Sequence, residues 1–145
     1  MPDASDHQHV ASNGRAELSL DQLAELHGGI EKYMVEISDR ATRAYQAGVA
    51  KNRRVTMHQI GELTKTLRLS VLVRPQYQEA MDKFISEDLA KVRAIVDAEE
   101  WDKFAEAWDG LTLSVNGYHE ELDRGYLVWK VPTNAPSDLD RTPRG

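Results

Sequence analysis

Apolar side chains recur at intervals of three and four residues through most of this chain, the spacing by which an amphipathic helix gathers them on one face. Four such stripes follow one another. The first opens at Ser19, which fits a capping box with Gln22, each side chain satisfying an amide orphaned by the helix start. Leu20, Leu23, His27, Ile30, Met34, Ile37, Ala41, Ala44 and Tyr45 then predict one helix. Gly28-Gly29 weakens it by roughly 1 kcal/mol per glycine relative to alanine, so a kink or a close helix contact is expected there. Residues 48–54 read as a turn.

Val55, Ile60, Leu63, Leu67 and Val71 mark the second helix, which ends before Arg74-Pro75 because the residue preceding proline is pushed out of the helical region. Pro75 can open the third, where its missing amide hydrogen is no loss. That helix carries Met81, Phe84, Ile85, Leu89, Val92, Ile95 and Val96. Asp97 with Glu100 repeats the cap signal, and Trp101, Phe104, Ala105, Trp108, Leu111, Thr112, Val115 and Leu122 stripe the fourth helix, with Gly125 as its expected end. Residues 126–131 alternate aromatic or apolar with other types and are expected to lie extended along the end of the bundle. Four amphipathic helices with short links bury their stripes most economically against one another. The expectation is therefore an all-α protein, an antiparallel four-helix bundle over residues 18–131. A disordered lead (1–17) precedes it, and a flexible, partly extended tail (132–145) follows.

A chain of 145 residues can bury a core of ordinary size without covalent staples. Its formal charge of −6 argues against a nucleic-acid backbone or an anionic membrane surface as partner, since both reward positive charge. With no cysteine, disulfides, thiolate metal sites and cysteine nucleophiles are excluded together. No stretch approaches the ~20 apolar residues needed to span a bilayer. Residues 1–14 lack the basic start and apolar run of a secretory signal, so the expected compartment is the cytoplasm.

The stretch from Trp101 to Pro132 carries Val115-Asn116-Gly117-Tyr118-His119, then Gly125-Tyr126-Leu127-Val128 and Pro132. Upstream stand Tyr45-Gln46-Ala47-Gly48 with Asn52, and Arg74-Pro75 with Tyr77. At these scattered positions, over roughly residues 23–132, the chain resembles a family of small bacterial monohaem cytochromes of four-helix, cytochrome c′-like build. In that family an aromatic-rich last helix leads into C-N-x-C-H, followed by a glycine, an aromatic and a short apolar segment ending in proline. The resemblance implies a haem site with His119 in the place of the axial ligand. Val115 and Tyr118 occupy the two cysteine places, so haem cannot be attached through thioethers here. Tyr118, bulkier than cysteine, is expected to fill the cavity, and haem is expected to be taken up only weakly.

Three carboxylate–histidine pairs at i, i+4 (His27 with Glu31, His58 with Glu62, His119 with Asp123) share helix faces, as metal ligands in a bundle require. Di-iron bundles use Glu-x-x-His instead, and solvated contacts between such pairs are common. Trp101, Phe104, Trp108, Tyr118, Tyr126 and Trp129 could line a pocket for a flat ligand or simply fill core and interface, with Trp129 the one expected to face a partner chain. Lys51, Arg53 and Arg54 read as a solvated turn that complements the carbonyl end of the first helix.

The expected function is a non-enzymatic binding or protein-interaction module without a cofactor, homodimeric or bound to a protein partner. The alternative is a non-covalent binder of haem or a small apolar or aromatic ligand through His119, Tyr118, Trp108, Val115 and Tyr126. A metal-dependent enzyme is the third class.

Overall fold

The computed structural model describes residues 10–12, 14–26, 29–133 and 142–143, and its fold is all-α. The elements are α1 (Leu20–Glu25), α2 (Gly29–Val49), α3 (Arg53–Val73), α4 (Gln78–Lys83), α5 (Ala90–Asp97) and α6 (Phe104–Glu121). Three-residue 3-10 turns precede α4 (Pro75–Tyr77) and α6 (Trp101–Lys103), and a π turn, Phe84–Leu89, joins α4 to α5. No described helix is long and apolar enough to cross a membrane.

Ser19 caps α1 as expected, its hydroxyl accepting from Gln22 N–H at 3.1 Å while the Gln22 side chain accepts from Ser19 N–H at 3.0 Å. The first stripe is nevertheless two helices. Gly29 takes φ +76°, a left-handed value open to glycine, and α2 starts there afresh. His27 and Gly28 lie outside the described residues. Part of the expected lead also departs from the sequence reading: β1 (Val10–Ser12) pairs antiparallel with β2 (Glu17–Ser19), Ala11 opposite Leu18.

Helices α2 and α3 form the most intimate pair in the fold. Ala41, Ala44 and Ala47 on α2 are buried, and such small side chains let two helix axes come close. Helix α3 buries Thr56, Thr64, Thr66 and Ser70, hydroxyls that would be costly without partners. Each donates to a carbonyl of its own helix three or four residues back, at 2.7–3.0 Å. Helix α3 also packs on α5, α5 on α6, and α6 on α2. The core fills the space among them: Ile37 and Ala41, Ile60, Leu63 and Leu67, Phe84, Leu89, Val92 and Val96, then Phe104, Trp108, Leu111 and Val115.

The helix ends differ from those read off the sequence. Residues Lys51, Glu99 and Asp123 adopt φ of 57°, 55° and 60°, one residue beyond the caps of α2, α5 and α6. At each, the next amide reaches back five residues: Asn52 to Ala47 (2.9 Å), Glu100 to Ile95 (3.0 Å), Arg124 to His119 (2.6 Å). That is the Schellman end, here without glycine at its left-handed position. Gly48, expected in the turn, is instead the second-last residue of α2, and α6 stops at Glu121 before the expected Gly125. Asp97 is no N-cap, and the turn before α6 has no side-chain cap bond. It binds Arg53 instead, which also donates to the Asp97 carbonyl at 3.2 Å, tying the start of α3 to the end of α5. Arg53 is thus a structural tie rather than part of a free basic turn.

Candidate functional site

Val115, Tyr118, His119 and Leu122 stand at i, i+3, i+4 and i+7, one face of the last two turns of α6. That face forms one wall of a cleft of about 400 Å³. The start of α2 supplies the opposite wall through Ile30, Met34 and Ile37, again at helical spacing, and Leu67 of α3 lies between them. Tyr77, Met81 and Phe84 close the third side. The last side is the segment after α6, which contributes Arg124, Tyr126, Leu127 and Trp129. Its floor reaches the core, since Ile37, Leu67, Phe84 and Val115 are all buried. A wider trough of about 750 Å³ lies on the other side of that final segment; its walls include the exposed Val35, Ser38, Asp39 and Val128. His119 and Trp129 border both.

The final segment is held across α6 by side chains. Asn116 grips Trp129 at two points: its Oδ1 accepts from Trp129 N–H at 2.7 Å, and its Nδ2 donates to the Trp129 carbonyl at 3.0 Å. His119 Nδ1 lies 2.7 Å from the Leu127 carbonyl oxygen, an acceptor, so Nδ1 carries a proton and donates. In the neutral ring this leaves the lone pair on Nε2. The bond replaces the His119–Asp123 contact expected from the i, i+4 spacing. Trp129, expected to face a partner chain, is half-buried and packs with Val131 against the core.

Tyr118 does not fill the cleft. Its ring meets Phe84 edge-on at 6.0 Å, and its hydroxyl donates to Asp88 Oδ2 at 3.3 Å. The π turn makes this contact available: Phe84 and Leu89, five residues apart, both reach the buried side, and Asp88 between them accepts from Tyr118 and from Ser114 (3.0 Å). Burial, with the Asp88 charge second, pushes the Tyr118 pKa up to about 12. The phenol is therefore a neutral wall at physiological pH.

Of the five site residues expected from sequence, Val115, Tyr118, His119 and Tyr126 line the cleft together. Trp108 does not. It is 3% exposed and meets the tilted rings of Tyr45 at 5.4 Å and Phe104 at 5.8 Å, two turns further back along α6. Sequence reading missed Arg124, Tyr77 and Met81. Tyr77 belongs to the Arg74-Pro75 motif, the one sequence signal that points to it. Of the other carboxylate–histidine spacings, that of His27 with Glu31 lies partly outside the described residues. Among the described residues no group of three or more histidine and acidic side chains could hold an ion. Glu62 pairs with Lys65 at 2.8 Å, and that hydrogen bond lowers its pKa.

The chain matches no protein-family profile, no curated protein and no solved structure.

Proposed function

We propose that this protein is a binding module that takes a small, flat, largely apolar ligand into the cleft between α6, α2 and the Tyr77–Phe84 side. Its scaffold is an antiparallel four-helix bundle of α2, α3, the continuous α4–α5 rod and α6. One observation carries the reading: a cleft of about 400 Å³ that reaches the buried core and is walled by aromatic and aliphatic groups, with few polar ones at its rim. Pockets of ~300–1,000 Å³ with this lining are where small molecules bind. The test is calorimetric titration with naphthylethanol, an uncharged flat probe. One-to-one uptake is expected, with at least a tenfold loss in Met81→Trp, whose indole would occupy the cleft. Unchanged affinity in that variant, at an unchanged helical circular-dichroism spectrum, would sink the assignment.

A second reading, non-covalent haem ligation by His119, is favoured by the Nδ1 bond to Leu127, which leaves Nε2 the ligating nitrogen. Val115 and Tyr118 offer no sulfur, so affinity would rest on that one bond and on covering the porphyrin faces. Weak hemin uptake is expected. A stoichiometric Soret band that disappears in His119→Ala would promote this reading over the first.

A further inference from the structure

Among the cleft's lining residues Arg124 is the only arginine or lysine and Glu31 the only carboxylate. The backbone of Arg124 is fixed on both sides: its amide donates to His119 at 2.6 Å, and its carbonyl accepts from Leu127 N–H at 2.8 Å. Its guanidinium lies beside the hydroxyls of Tyr126 and Tyr77, which raise its pKa further. Both phenols are cleft walls, and their oxygens accept hydrogen bonds from the guanidinium. Among the described residues no carboxylate forms an ion pair with Arg124, Glu31 included. Glu31 has a local role, since it sits in the first turn of α2, where the amide end of a helix favours negative charge. The cleft therefore presents apolar walls with one guanidinium that forms no ion pair among the described residues.

We infer that the cleft selects ligands bearing a carboxylate on a flat apolar body, with Arg124 as the anchor. A planar guanidinium matches a carboxylate through two parallel N–H···O bonds, a fit that a hydroxyl or an amine lacks. The apolar body then lies between Met34 and the Tyr118–Phe84 side. This rests on the cleft being a ligand site, and the probes are chosen to separate the two claims.

Naphthylacetate, naphthylethanol and naphthylethylamine share one apolar body and differ in charge. Titrated into the full chain, the acid is expected to bind about tenfold more tightly than the alcohol, a difference of about 1.4 kcal/mol. Arg124→Gln should close that gap, read as the ratio of acid to alcohol affinity measured within the variant. Added salt should narrow the gap in the wild type, because the guanidinium is exposed. Equal affinity for acid and alcohol, or preference for the amine, would overturn the carboxylate assignment and leave the cleft standing as an apolar site. If none of the three binds, the cleft itself is wrongly assigned and this inference goes with it.

Discussion

The hydroxyl of Tyr118 exchanges water for a place between α6 and the π turn, and burial there pushes its pKa from 10.0 to about 12. A phenol whose folded-state pKa is raised favours folding in its neutral form. That contribution is complete below pH 10, the ordinary value, and is lost as pH rises through about 12. Denaturation midpoints measured on either side of pH 10 should therefore fall in the wild type more than in Tyr118→Phe, which has no proton to lose. At neutral pH the same variant should cost about 1 kcal/mol, the worth of one modest hydrogen bond to Asp88. Equal alkaline slopes in the two proteins would place the phenol in water. His119 shows a different kind of residue-level control. Its bond to Leu127 decides which ring nitrogen carries the proton, a choice invisible in the sequence because the acceptor is a backbone carbonyl eight residues away.

Helix ends separate what the sequence displays from what it conceals. The four stripes are legible because burial follows a 3.6-residue period, and Ile37, Ala41 and Ala44, or Phe104, Trp108, Leu111 and Val115, are buried as that period dictates. The ends are not legible because glycine is the usual signal of a left-handed terminus, and this chain puts Lys51, Glu99 and Asp123 there instead. A left-handed conformation costs a side-chain-bearing residue roughly 1–2 kcal/mol, and a negative charge at the carbonyl end of a helix adds to it. Glu99→Gly should accordingly raise stability by about 1 kcal/mol, read from the denaturant midpoint at constant slope. Loss of stability would mean that Glu99 makes a compensating contact. Periodicity also tells the face of a helix but not the depth along it. Trp108 shares a stripe with Val115, yet seven residues of helix separate them by about 10 Å, so that of these two core residues only Val115 reaches the cleft. Nor does any simple spacing announce the π turn, which only shows once Phe84 and Leu89 are seen buried together.

At the scale of the whole molecule, small side chains set how near the helices stand. A Cβ added at Gly48 would lie 2.1 Å from Cζ of the Phe104 ring, itself 3% exposed between Tyr45 and Trp108. The ring cannot move away without displacing its stacked neighbours. Gly48→Ala should thus destabilise by about 3 kcal/mol, the upper range for overpacking a filled interior, with a matching drop in thermal midpoint. A neutral effect would show that the aromatic stack yields. This region supports the fold, whereas the cleft lies at the opposite end of α6, where the walls come from four separate stretches of chain. Tyr77 and Met81 meet His119 only after folding, which is why local motifs show one wall of the site and not the others.

The segment after α6 is attached through Asn116 and His119 side chains, not through a backbone ladder shared with a helix. Three bonds can break there while every helical carbonyl keeps its own partner. Opening of that segment is thus a sub-global event whose free energy is set by those few contacts and the burial of Trp129, independent of the cost of unfolding the helices. Exchange between the cleft and solvent can therefore be fast in a protein that is itself slow to unfold.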